Sequence, residues 1–237
     1  MADRELSRTM SNERSRLDWD PTTHYQSEGV ASSYDVKRFS SLAGGVYQRL
    51  ERRAVLRAFR QIAPQPKVIL DLPCGTGRLA ETLLSAGYKV VGADISSAML
   101  RQAEQRLGRF GDRFITLVCD ARKAAQQPVK FDAALCARVL MHFPLNEQIE
   151  FLRGVSGAVG HYVVFTHSLD TPYQRLRRSL KRRLGHQPSV GYPIAERDLK
   201  ELLAKSGLKE IRRLRLPRLL SEAIVIIAEK AARVAPQ

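Results

Sequence analysis

The sequence predicts an α/β protein built on a doubly wound, mostly parallel seven-stranded sheet with an antiparallel hairpin at its C-terminal edge. Three observations predict it. Short apolar runs alternate with amphipathic stretches from Val68 to His167, the pattern of parallel strands joined by helical crossovers. A glycine-bearing turn, Pro73–Gly77, follows the first of these runs, and open sheets bind ligands at such strand ends. Two further strand-like runs are separated only by Pro217 and Arg218, too short a link for a parallel crossover.

The elements follow in order. Residues 1–33 are polar and carry little periodicity, so they read as a mobile N-terminal arm. Residues 34–237 read as one domain with a basic insertion over 171–192. Tyr34–Ile62 is helical in pattern: Leu42, Val46, Leu50, Ala54, Val55, Ala58, Phe59 and Ile62 recur at three- and four-residue steps. Pro64 and Pro66 close that segment. Strands are predicted at Val68–Leu72, Tyr88–Ala93, Phe114–Cys119, Phe131–Cys136 and Tyr162–His167. Helices are predicted at Arg78–Ala86, stopped by Gly87, at Ser96–Leu107, capped by Ser96 or Ser97, and at Leu145–Val159. A helix over Ala195–Ser206 and strands over Leu208–Leu216 and Leu219–Ala228 complete the chain.

Composition bounds the rest. Hydrophobic residues make up 44% and charged residues 27%, an ordinary balance for a soluble globular protein. The net charge of +15 is not ordinary and points to an acidic or phosphorylated partner, an anionic surface, or nothing more than solubility. The first ten residues, MADRELSRTM, have no apolar core and do not read as a signal peptide. The longest purely apolar run, Ala223–Ala228, falls far short of a membrane span. Cys74, Cys119 and Cys136 show no paired spacing, which argues against a disulfide framework or a zinc site. The expectation is a cytoplasmic protein with reduced thiols and no metal.

The first turn carries the chemistry. Asp71 ends the first strand, and Gly75 and Gly77 remove side chains where backbone can approach a ligand. The following helix offers free N–H groups and a positive dipole end. Asp94 ends the second strand, where a carboxylate can accept two hydrogen bonds from a ribose diol, and Asp120 ends the third, where it can meet an amino group of a base. A dinucleotide reading competes, because Gly75-x-Gly77-x-x-Ala80 with Asp94 downstream satisfies that fingerprint. Asp71 counts against it, since a carboxylate beside a pyrophosphate is unfavourable, and Asp120 has no part in it.

These motifs resemble those of the class I S-adenosylmethionine-dependent methyltransferases, over roughly Tyr34–Lys230. VILDLPCGTGRLA resembles the family's first motif, VVGADISSAML its second, Asp120–Ala121 its third and FDAALCARVLMHFP its fourth. The resemblance implies a Rossmann-like sheet and S-adenosyl-L-methionine as cofactor. It implies that Asp71, Pro73, Cys74, Gly75 and Gly77 contact the methionine end and that Asp94 holds the ribose. Ile95 and Met99 would flank the adenine, Asp120 and Ala121 would meet its edge, and Cys136, Ala137 and Arg138 would line the methyl end. Tyr34 and Arg38 would close over the methionine end. Pro73 departs from the family, which usually has glycine there; its fixed φ still suits a tight turn.

Around that cofactor the acceptor residues are less constrained. His142 and His167 follow or end strands on the ligand side and are the candidate catalytic bases. Arg138 would either orient an acidic acceptor or remain at the surface. Between Thr171 and Arg218 the chain has fourteen Lys or Arg and four Asp or Glu, a net of +10. Residues 172–184 read as a basic amphipathic helix in which Arg177, Arg178, Lys181 and Arg182 would bind an anion. The expected partner is a small or medium-sized anionic acceptor, such as a phosphorylated sugar, glycan or lipid-linked precursor, methylated at oxygen or nitrogen. Peripheral contact with anionic membrane at the inner face stays open. Nucleic acid is the weaker alternative, because only Tyr173 and Tyr192 flank the basic run, and a non-catalytic scaffold of the same fold is another.

Overall fold

The computed structural model describes residues 42–183, 191–217 and 223–231, without the side chains of residues 42, 43, 178, 181 and 182. The predicted arm, Tyr34 and Arg38 lie outside the described residues. The chain runs α1 (Leu42–Arg60), β1 (Val68–Asp71), α2 (Arg78–Ser85), β2 (Lys89–Asp94), α3 (Ser97–Leu107), β3 (Phe114–Val118), β4 (Phe131–Cys136), α4 (Leu145–Gly157), β5 (Val159–Ser168), α5 (Pro172–Arg183), α6 (Glu196–Lys205), β6 (Leu208–Arg215) and β7 (Ala223–Lys230). Short 3₁₀ turns at Gly108–Arg113, Ala121–Gln126 and Leu140–His142 fill the gaps.

One seven-stranded sheet has the order β3-β2-β1-β4-β5-β7-β6. β3, β2, β1, β4 and β5 are parallel, and β7 is antiparallel to both β5 and β6. The strand order reverses between β1 and β4, which leaves a crevice outside their carboxyl ends. Side chains alternate across the sheet. Ile69, Val90, Leu135, Val164 and Ile227 pack under α1 and α2, while Leu70, Cys136, Phe165 and Ile226 pack under α4 and α6. Helix α1 reaches this core through Val55, Ala58, Phe59 and Ile62, all buried and all on one helical face. Among the described residues no helix is long and apolar enough to cross a membrane.

Most predicted boundaries fall within a residue or two of those observed. Ser96 is the N-cap of α3, its side chain accepting the Met99 N–H at 3.3 Å. One difference has a physical cause: β5 begins earlier than expected because Val159 still pairs with Phe131 across an irregular register. The predicted start of the last strand, Leu219, lies outside the described residues, and the Leu216 N–H bonds the Ala223 carbonyl at 3.2 Å where β7 is first described.

Helix α4 lies against the Ala121–Gln126 turn, whose backbone it meets directly at Gly154. A methyl group at Gly154 would run into the Ala121 carbonyl and the Arg122 backbone. Gly154→Ala is therefore expected to lower stability by about 1–3 kcal/mol through overpacking, measured as a reduced denaturant midpoint with unchanged slope.

Candidate active site

The turn after β1 is pinned on both sides before it reaches its glycines. Leu72 N–H bonds the Leu135 carbonyl of β4 at 2.9 Å, and Cys74 N–H bonds the Ala93 carbonyl of β2 at 2.8 Å. The Leu72–Pro73 peptide is cis. Gly75 and Gly77 take φ of +55° and +76°, a left-handed conformation that glycine adopts without a side-chain penalty. Asp94 then holds the turn: Oδ2 accepts the Gly75 N–H and Oδ1 the Ser96 N–H, each at 2.9 Å.

A cleft opens at this point. Asp71, Pro73, Cys74 and Gly75 line it from the turn, Asp94, Ile95 and Met99 from β2 and α3, Asp120 and Ala121 from beyond β3, and Ala137, Arg138 and His142 from beyond β4. The sequence thus placed these twelve residues together. Three others lie elsewhere. Gly77 faces α3, where a Cβ would stand 2.6 Å from Leu107 Cδ1, so its small size serves helix packing and not ligand approach. Cys136 is fully buried in the core, because its position in β4 points it under α4. His167 is also fully buried. Its Nδ1 accepts the Ser168 N–H at 2.8 Å and its Nε2 stands 2.9 Å from Gln148 Oε1. Burial lowers its pKa to about 4, so the ring stays neutral, donates to Gln148, and has no nitrogen left for an acceptor.

Asp71 is the most informative group in the cleft. It is 1% exposed and accepts the Ala80 N–H, yet its Oδ2 is buried without a hydrogen-bond partner. Burial first, and then the charge of Asp94, push its pKa up to about 8 against the opposing pull of Arg78. A buried acceptor left unmet costs about 1–3 kcal/mol, and a cationic amino group is the partner that would meet it. The methionine end of S-adenosylmethionine carries that group, so the residues fit the cofactor; a pyrophosphate there would add negative charge beside an orphaned carboxylate. Cys74 is no nucleophile, since burial and the neighbouring Asp71 and Asp94 raise its thiol well above the ordinary range.

Arg138 lines the cleft, yet its guanidinium is held inside the protein. At φ +61° its backbone N–H bonds Thr166 Oγ1 at 2.8 Å, and its guanidinium turns inward. Nη1 lies 3.3 Å from Glu51 Oε2, and the group sits over the Tyr47 ring at 5.2 Å. Arg78 Nη2 reaches the same Glu51 oxygen at 2.7 Å, and the Tyr47 hydroxyl donates to Oε1 at 3.2 Å. Burial, followed by the Glu51 charge, raises the Tyr47 pKa to about 12.

Sequence reasoning missed Glu51 and Tyr47. The signal was an acidic residue within the basic run of α1, four residues before Val55 on the buried face. It also missed the apolar wall formed by Leu79, Phe143 and Phe151. Phe143 and Phe151 stack at 5.9 Å, and Arg122 lies over Phe143 while pairing Glu147 at 3.1 Å. Arg177 is half-buried on α5, its Nη1 3.5 Å from Gln174 Oε1, and does not line the cleft. The side chains of Arg178, Lys181 and Arg182 lie outside the described residues.

Residues 69–160 match the family described as "Methyltransferase domain", the stretch that builds this cleft. Over that stretch the chain is similar to methyltransferase domains. It is 24% identical over 154 residues to the magnesium-protoporphyrin O-methyltransferase of Synechocystis sp., covering 61% of this chain and 64% of that one. It is 36% identical over 80 residues to the ubiquinone biosynthesis O-methyltransferase of Idiomarina loihiensis, covering 33% and 32%. The chain thus spans less than two thirds of the length of these curated relatives. A crystal structure of the Synechocystis magnesium protoporphyrin IX methyltransferase with bound SAH superposes with a TM-score of 0.66 at 20% identity, over 90% of this chain and 100% of that one. That structure shares the fold of this chain.

Asp71 has a consequence for the cofactor-free protein. Its pKa is raised on folding from 3.8 to about 8. The folded state therefore holds a proton that the unfolded state has released, and stability falls as pH rises from 4 towards 8. Asp71→Asn keeps the acceptor for Ala80 and cannot ionise. It is expected to raise the cofactor-free melting temperature, with a gain of about 1–3 kcal/mol at pH 8 that shrinks towards pH 5, read by calorimetry at both pH values.

Proposed function

We propose that this protein transfers a methyl group from S-adenosylmethionine to an oxygen of a small or medium-sized anionic acceptor. The unmet, buried Asp71 carboxylate at the head of the cleft is the observation that carries the cofactor half of this reading. The O-methyltransferase names of the two relatives favour oxygen over nitrogen, and the chain's net charge of +15 favours an anionic acceptor.

S-adenosylmethionine supplies a methyl group on a sulfonium, an electrophile that needs alignment more than activation. Asp71 takes the methionine amino group. Asp94, whose oxygens already hold the glycine turn and the α3 start, has lone pairs remaining for the ribose hydroxyls. Ile95, Met99 and the Phe143–Phe151 wall give the base an apolar slot, with Asp120 at its edge. Asp120 Oδ1 is held by the Arg122 N–H at 3.0 Å, which fixes the carboxylate against the slot. Glu51 pairs the Arg138 guanidinium at the cleft wall, which would offset that positive charge beside a bound sulfonium. His142, which lines the cleft with Val139, would take a proton from an acceptor hydroxyl.

The binding half is tested by titration calorimetry. Affinity for S-adenosylmethionine is expected to rise by up to about tenfold per pH unit from pH 6 to 8 and then level, because below pH 8 binding must release the Asp71 proton. Asp71→Asn should bind about ten- to hundredfold more weakly with no such slope. Absence of any binding heat in the wild type would favour a scaffold.

The transfer half is tested with labelled cofactor against anionic and neutral hydroxylated acceptors. His142→Gln is expected to lower kcat by about a hundredfold or more with KM little changed. Equal rates on neutral acceptors would remove the anionic part of the reading, and steeply salt-dependent retention of RNA or DNA would redirect it to nucleic acid.

A further inference from the structure

Helix α5 contributes no residue to the cleft lining, and its surface combines positive charge with exposed apolar side chains. Its sequence, PYQRLRRSLKRR, contains six Lys or Arg and no acidic residue. Gln174 is buried at 4% and turns one face of the helix to the protein. Tyr173, Leu176 and Leu180 are 47%, 70% and 58% exposed. Spaced three and four residues apart, they form one stripe pointing away from the Gln174 side. A stripe of exposed leucines is costly in water unless something covers it.

The helix also stands on the ligand side of the sheet. It follows the carboxyl end of β5, and the returning chain crosses beside the cleft, where the Tyr192 N–H bonds the Met141 carbonyl at 2.9 Å. Met141 precedes His142 on the cleft wall. Tyr192 is itself 48% exposed.

We infer that α5 docks this protein on an anionic lipid bilayer. Apolar burial and charge complementarity act together there. The Tyr173–Leu176–Leu180 stripe enters the boundary between headgroups and acyl chains, while the exposed Arg175 and Arg183 remain among the anionic headgroups. Each Lys or Arg near such a surface contributes about 1 kcal/mol of attraction. Nucleic acid fits less well, since two aliphatic leucines offer no stacking face. An acceptor partitioned into the bilayer would then meet the protein near the cleft. The inference rests on α5 alone and does not require methyl transfer.

Co-sedimentation of the full chain with vesicles tests it. Vesicles of phosphatidylcholine mixed with phosphatidylglycerol should retain the protein, and pure phosphatidylcholine should retain it at least about tenfold less. Leu176→Ser with Leu180→Ser should weaken retention on the mixed vesicles by about tenfold or more. Both leucines are exposed, so the variant should fold, and unchanged heat-denaturation and S-adenosylmethionine titration would show it. The inference is overturned if the wild type is not retained by anionic vesicles or if the double variant is retained equally. Retention that duplex DNA abolishes in the wild type and the leucine variant alike would also overturn it.

Discussion

The cleft depends on the Asp94 carboxylate. One oxygen holds the N–H of Gly75 and the other that of Ser96, so the turn after β1 and the start of α3 are fastened to one point at the end of β2. The group is 5% exposed, and burial raises its pKa while the N–H groups of Ser96, Gly75 and Ile95 lower it. A ligand in the cleft would find the loop already shaped, so ordering it costs little on binding. Replacing Asp94 would thus remove a ligand contact and loosen the frame around it together.

Two buried carboxylates nearby have opposite fates. Glu51 receives two arginines and a tyrosine hydroxyl, so its charge is met inside the protein and joins α1 to α2 and to the chain beyond β4. Removing one member of such a set leaves a buried charge exposed to its low-dielectric surroundings, which is costly. Asp71 has Arg78 within electrostatic reach but still keeps an oxygen unmet. The first is completed by the fold. The second awaits a cation from outside, and this difference separates architecture from recognition in a site crowded with acidic residues.

The sheet and half of the cleft were legible because both follow local rules. Alternating apolar strands and helices specify a parallel sheet, and strand ends carrying Asp71, Asp94 and Asp120 specify where a ligand sits. What stayed hidden depends on side-chain direction. His167 and Cys136 occupy strand ends, as expected of site residues, yet their places in the pleat turn them into the core beneath α4. Arg138 follows the same strand, and its destination is fixed by Glu51, far away in sequence on a helix whose charge pattern otherwise reads as solvent-facing. Gly77 belongs to a ligand-binding pattern, and only the position of Leu107 shows that its missing side chain makes room for a helix.

The position of β7 between β5 and β6 sets the order in which the molecule can be completed. The strands that frame the cleft, β1 to β4, are all present once residue 136 has emerged during synthesis. β5 then waits with one edge unpaired, and β6 emerges with no neighbour, until β7 slides between them. An open β5 edge is a template for pairing with another chain. Damage to β7 would thus be felt as aggregation during biosynthesis, although it lies at the far side of the sheet from the glycine turn.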